Sequence, residues 1–172
     1  LTTLVIGGTG MSGRRVAARL NARGVPVRIG TRSARPPFDW HDRSTWALAL
    51  RGVGAAYLTY HPDIGSPDAA TQIDAFARQA EASGVERLVL LSGRGSTAAL
   101  AAERALRDST ADWAIVRSSW FAQNFTEGFL ADRVRSGRIA FPAADVAEPF
   151  IDADDVAAVA VAVLTEDRHT HQ

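Results

Sequence analysis

Apolar and polar positions alternate along this chain in two rhythms. Short, nearly continuous apolar runs alternate with stretches in which apolar residues recur every three or four positions. The runs read as strands buried on both faces, and the longer stretches read as amphipathic helices. Leu4-Val5-Ile6 opens the series, followed by a helical segment carrying Val16, Ala17 and Leu20 and closed by Gly24. Val25 to Gly30 is a second strand. A short third strand around Phe38 to Trp40, or an irregular crossover, comes next. Asp42 or Ser44 caps a short helix that ends near Arg51-Gly52. Ala55 to Tyr60 is a fourth strand holding both tyrosines, Tyr57 and Tyr60.

Asp68 to Ser83 is helical, with Ile73, Phe76, Ala77 and Ala80 on one stripe. Val85 to Leu91 is a fifth strand ending at Ser92, and Ser96 to Ser109 an Ala-rich helix. Trp113 to Arg117 is a sixth strand. A loop and a helix to about Val134 follow, with extended pieces at Ile139 to Pro142 and Pro149 to Ile151. A last helix, Val156 to Leu164, is capped by the acids at 152–155. Strands alternating with helices predict an α/β fold, a doubly wound parallel sheet of Rossmann type, over residues 1–172 as a single domain.

The turn after the first strand changes this from a fold into a candidate site. Gly7, Gly10 and Gly13 are spaced Gly-x-x-Gly-x-x-Gly between a strand and a helix. Gly7 permits the tight turn, Gly10 the approach of a pyrophosphate, and Gly13 close packing of helix on strand. The unpaired N–H groups near Thr9, Met11 and Ser12 then face an anion. The second strand ends in Thr31-Arg32-Ser33. An acid there would select the ribose of NAD, whereas Arg32 suits the 2′-phosphate of NADP. Asp39 and Trp40 flank the adenine, or Trp40 is simply core.

Composition narrows the chemistry. The 172 residues are 47% hydrophobic and 22% charged, with zero formal net charge and no Cys. That excludes disulfides, thiolate catalysis and Cys-held metals, and leaves no global charge for nucleic acid. No apolar run reaches the roughly 20 residues of a membrane span, and the absence of a leader-like start makes a cytoplasmic location the expectation. All 19 basic residues are Arg, so no mechanism here uses a lysine. The scattered histidines, His41, His61, His169 and His171, predict no metal site. Ser92 in Leu-Ser-Gly-Arg-Gly does not have the setting of a hydrolase nucleophile.

The glycine turn resembles that of short-chain dehydrogenases/reductases. The usual Tyr-x-x-x-Lys pair is absent, its segment reading Ala98-Ala99-Leu100-Ala101-Ala102-Glu103-Arg104. Val5-Ile6-Gly7-Gly8-Thr9-Gly10-Met11-Ser12-Gly13 and Arg28-Ile29-Gly30-Thr31-Arg32 resemble the NmrA-like, atypical branch of that superfamily. So do Val85 to Ser92, Glu103 to Arg107, Arg117 to Phe125 and Pro149 to Ala157.

The resemblance implies NADP(H), with NAD(H) as the lesser option. It implies a smaller substrate-covering domain that is largely absent from this chain. Gly7, Thr9, Gly10, Met11 and Ser12 would hold the pyrophosphate and Arg32 the 2′-phosphate. Asp39, Thr59 and Ser92 complete the cofactor set, with Thr59, Tyr60 and Ser92 at the nicotinamide end. Trp120, Phe121 and Asn124 would border the substrate. The leading expectation is an NADPH-dependent reductase of a quinone-like or other conjugated small molecule, with Ser92 or Tyr60 orienting its oxygen. The alternative is a non-catalytic NADP(H)-sensing regulator with a protein partner. A Rossmann methyltransferase would want an acid where Arg32 stands.

Overall fold

The computed structural model describes residues 1–109, 111–140, 145–166 and 171. Five parallel strands, β1 (Thr2–Ile6), β2 (Val27–Gly30), β3 (Val53–Leu58), β4 (Arg87–Gly93) and β5 (Asp112–Ser118), form one sheet in the order β2-β1-β3-β4-β5. The side-chain alternation of each strand feeds two cores. Leu4, Ile6, Ala56, Leu58, Leu88 and Leu90 point to one face, beneath α2 (Trp46–Leu50), α3 (Ala69–Ala82) and α4 (Leu100–Arg107). Val5, Tyr57, Val89 and Ala114 point to the other, beneath α1 (Met11–Ala22) and α6 (Ala153–Thr165). Helices on both faces make the sheet doubly wound, as its apolar strands require. The chain leaves β1 toward β2 and later returns to β3 on β1's other side. The crevice at such a reversal, beyond the carboxyl ends of the strands, is where ligands bind in open α/β sheets.

The expected third strand is not there, and the irregular crossover takes its place. Residues 38–40 contribute only an isolated bridge between Asp39 and Asp42. Pro36 and Pro37 offer no N–H to a ladder. Phe38 and Trp40 instead turn into the core against Trp46 and Phe76, with ring centroids 5.2–6.3 Å apart. The sheet therefore has five strands, and β3 ends before Tyr60.

Three other expectations shift. The helix from Ser96 begins only at Leu100, because Ser96 Oγ accepts from Ala99 N–H and holds a turn. The helix after Phe125 is a 3₁₀ turn (Ala122–Phe125), a break at Gly128, and α5 (Ala131–Arg135). A Cβ at Gly128 would lie 2.8 Å from Asn124 Cα, so the chain folds too tightly there for a continuous helix. Trp120–Phe121, expected as loop, is a strand, β6, paired in parallel with β7 (Phe150–Ile151). Asp152 caps α6 by accepting from Asp154 N–H at 2.7 Å. Asp154 itself does no capping and pairs with Arg15 and Arg19. The expected extended piece at Ile139 runs into residues 141 and 142, which lie outside the described residues, as does His169. His171 donates its N–H to the Trp113 carbonyl at 2.7 Å, so that position is tied to β5. Among the described residues, no helix is long and apolar enough to cross a membrane.

The junction of β1 and α1 is tight. A Cβ at Gly13 would stand 2.3 Å from the Gly7 carbonyl oxygen. Gly13→Ala should therefore destabilise the protein by about 1–3 kcal/mol, the usual cost of overpacking. Thermal unfolding should show a drop of several degrees, against little change for Ala at Gly93, where a Cβ would meet its nearest neighbour at an ordinary 3.4 Å.

Candidate functional site

The carboxyl ends of β1, β2 and β3 enclose a cleft of about 600 Å³. Its floor is the glycine turn. Gly7 adopts φ +70°, and a Cβ there would meet Thr59 Oγ1 at 2.2 Å, so both conformation and space demand glycine. Thr59 Oγ1 donates to the Ile6 carbonyl at 3.0 Å, and Gly10 N–H to the Gly7 carbonyl at 2.8 Å, which locks the turn. Gly10 is the N-cap of α1 and has no side chain to satisfy the first turn. Among the described residues, nothing accepts from the N–H groups of Met11, Ser12 or Gly13. These donors sit at the positive end of the α1 dipole, beside the cleft.

The expected residues divide. Gly7, Thr9, Gly10, Met11, Ser12, Arg32, Asp39, Thr59, Tyr60 and Phe121 all line this cleft. Arg32 is exposed at its rim, and none of the described residues pairs with its guanidinium. Asp39 Oδ1 accepts from His41 N–H at 2.9 Å. Trp40 packs in the aromatic core and also lines the cleft, with Nε1 donating to the Thr59 carbonyl at 2.9 Å. Ser92, Trp120 and Asn124 are not among the lining residues. Trp120 is exposed, its ring 5.9 Å from Phe129, and Asn124 lends its carbonyl to Leu130 N–H.

Ser92 belongs to a different arrangement. Its buried hydroxyl donates to Glu103 Oε1 at 2.7 Å. Glu103, only 1% exposed, is gripped by Arg117 through two bonds of 2.9 and 2.5 Å, with Arg107 at 3.8 Å. The Arg117 bond holds the Glu103 carboxyl below its ordinary value, helped by Ser92 and Arg107 and opposed by burial. A signal for this network exists in the sequence. Ala99, Ala102, Glu103 and Leu106 fall on one helical stripe, so an acid sits among core positions, with Arg117 at a strand end to meet it.

Tyr60 closes the cleft on the β3 side. It is 7% exposed, and its hydroxyl has no hydrogen-bond partner among the described residues. Burial raises its phenol above the ordinary value, and the nearby Asp68 carboxylate adds to the rise. Tyr60 is thus an O–H donor throughout the physiological range. Asp68 in turn faces His41 Nδ1 at 3.6 Å. That pair joins residues far apart in sequence and had no local signal.

The sequence matches the family described as NAD(P)H-binding over residues 7–167. The chain belongs to that family. This agrees with the NmrA-like, atypical short-chain dehydrogenase/reductase resemblance carried by its motifs. Among curated relatives, festuclavine dehydrogenase of Aspergillus fumigatus is 31% identical over 184 residues, covering 96% of this chain and 63% of the relative. The chain spans about three-fifths of the length of the curated relatives it matches. The triphenylmethane reductase of Citrobacter sp., solved with NADP(H), superposes with a TM-score of 0.73 at 21% identity, covering 99% of this chain and 68% of that one. An NADPH-dependent quinone oxidoreductase of Escherichia coli, solved with NADPH, gives 0.71 at 22%, covering 99% and 66%. Those two likenesses establish the shared Rossmann-type fold.

The Glu103 network has a pH signature. Because its carboxyl is held low in the folded state, its stabilisation is fully present above the unfolded carboxyl's titration near pH 4.3. It is lost as pH falls through the lower, folded value. Glu103→Gln should cost about 1.5–3 kcal/mol at pH 7, as expected for a lost charged hydrogen bond. Urea midpoints of variant and wild type should converge toward pH 3.

Proposed function

We propose that this chain is the dinucleotide-binding part of an NADPH-dependent reductase of a quinone-like or other conjugated small molecule. The observation that carries the reading is the glycine turn. It presents three N–H groups without acceptors among the described residues, at a helix N-terminus, to a cleft whose rim carries an arginine with no partner among them. The cradle suits a diphosphate, since any side chain at Gly7 or Gly13 would fill it or push α1 away. NADP(H) and NADPH in the dye and quinone reductase structures support the choice of coenzyme.

In this reading the amides of Met11, Ser12 and Gly13, with Thr9, bind the diphosphate, and Gly10 gives it room to approach. Arg32 takes the 2′-phosphate with a planar fork that suits its oxygens. Asp39 and Trp40 border the adenosine, and Thr59 and Tyr60 the ribose and nicotinamide. Phe121 supplies an apolar wall for the acceptor. The reduced nicotinamide, when bound, supplies a hydride. Tyr60 donates its phenolic hydrogen bond to the acceptor's oxygen and keeps its proton, because its pKa is raised. A conjugated acceptor spreads incoming charge over its ring system, so polarisation by a neutral donor suffices where a simple carbonyl would need an acid. Ser92 has committed its hydrogen to Glu103 and retains acceptor lone pairs only. The donor role falls to Tyr60.

Ser92's commitment, and the lack of any Tyr-x-x-x-Lys pair, also favour the second reading, a nucleotide sensor that does not turn over. The two part on one measurement: NADPH oxidation across a panel of quinones and dyes. Tight nucleotide binding without turnover selects the sensor. Arg32→Ala should weaken NADPH about 10- to 100-fold by calorimetry, as for a lost charge-assisted contact, with NADH nearly unchanged. Equal losses for both would remove the 2′-phosphate from Arg32. No binding of either nucleotide would end both readings.

A further inference from the structure

Two arginines of α1 reach away from the cleft toward the wall that carries Phe121. Arg15, with 17% of its side chain exposed, makes three connections. Nη1 donates to the Met11 carbonyl at 3.0 Å, in the first turn of its own helix. Nε donates to Asp154 Oδ2 at 2.9 Å, at the start of α6. Nη2 donates to Glu127 Oε1 at 2.6 Å. Arg14 pairs with the other Glu127 oxygen. Glu127 lies in the turn between the 3₁₀ segment and α5, six residues after Phe121.

That turn is stiff. Gln123's carbonyl accepts the N–H groups of Thr126, Glu127 and Gly128, and the Asn124 carbonyl that of Leu130. At its other end, Gln123 Nε2 donates to Asp152 Oδ1 at 2.8 Å, and its Oε1 accepts Ala153 N–H at 2.9 Å. The wall from Phe121 to Leu130 is thus pinned twice, by Gln123 to the N-terminus of α6 and by Glu127 to α1.

We infer that Glu127 is a positioning residue that clamps the acceptor wall to the helix whose first turn holds the coenzyme. The inference rests on the dinucleotide reading of that turn. A network of several charges sharing one partly buried guanidinium outlasts the isolated exposed ion pair. Ordering α1's first turn with a bound diphosphate then orders the wall through Arg15, so nucleotide and acceptor sites keep one spacing.

Hydrogen–deuterium exchange of the protein with and without NADPH tests this on wild type, Glu127→Gln and Arg14→Gln. Arg14 has no other partner among the described residues, so its variant removes half the clamp and spares α6. In wild type, NADPH should slow exchange both at 7–13 and across 121–131. Glu127→Gln should raise exchange across 121–131 without nucleotide, abolish its protection by NADPH, and leave protection at 7–13 intact. Arg14→Gln should do the same to a lesser degree. With a turned-over acceptor, KM should rise about tenfold at unchanged kcat and NADPH affinity, a coupling of ordinary size. Glu127→Asp should recover part of the loss. Equal exchange across 121–131 in all three proteins, or NADPH protection there that survives in Glu127→Gln, overturns the clamp. Absence of any NADPH protection at 7–13 in wild type instead overturns the dinucleotide reading.

Discussion

The close seating of α1 on the end of β1 is the constraint from which the site follows. Gly13 lets the helix approach until a methyl group would strike the Gly7 carbonyl. At that distance the first turn of α1 and the end of β1 line one cleft. Thr59, just past β3, ties into the same turn by bonding Ile6. One hydrogen bond and one glycine contact thereby hold the donors beside the cleft. Arg32, Tyr60 and Phe121 reach it from their own elements.

A second joint holds the β4–β5 side. Glu103 is a charge placed in a core layer, and removing a charge from water is costly unless partners surround it. Ser92, Arg117 and Arg107 provide them. The same arrangement spends Ser92's hydrogen. A residue that by position belongs to the reactive end is thereby drawn into joining α4 to two strands. Of the two candidate donors, only Tyr60 keeps an O–H without a partner among the described residues.

The sequence made the layered sheet legible because strand runs are apolar on both faces and the helical stripes, such as Ile73-Phe76-Ala77-Ala80, keep one period. It made the glycine turn legible because each glycine answers a local steric demand. The missing strand at Phe38 to Trp40 was harder. Its alternation is that of a strand, but two prolines precede it, and its aromatic side chains are consumed by Trp46 and Phe76. Tertiary packing overrode a β-like pattern there. The wall was illegible for a different reason. Gly128's contact with Asn124 and the pairing of Trp120–Phe121 with residues 150–151 are long-range or steric facts, and no periodicity encodes them. Trp120 and Asn124 were expected beside Phe121 because the family resemblance implies them there. As neighbours in β6, Trp120 and Phe121 point to opposite sides, and Asn124 sits in the 3₁₀ turn that follows.

The all-arginine composition, which composition alone would leave as bias, has a use in this fold. Lysine offers one compact ammonium, whereas guanidinium offers donors fixed in a plane and aimed several ways. The joints of this molecule use that geometry. Arg117 takes both oxygens of Glu103, Arg28 spans the Ala49 and Arg51 carbonyls, and Arg15 meets three elements at once. Arg87 bonds the Leu164 and Glu166 carbonyls where α6 ends, satisfying acceptors that a helix C-terminus leaves open. Arg35, Arg51, Arg94 and Arg32 carry the same fork without a partner among the described residues, and of these Arg32 lines the cleft. What distinguishes Arg32 is its place: a guanidinium without a partner among the described residues and helix-end amides without acceptors border the same cleft, so that cleft offers two kinds of donor to one anion.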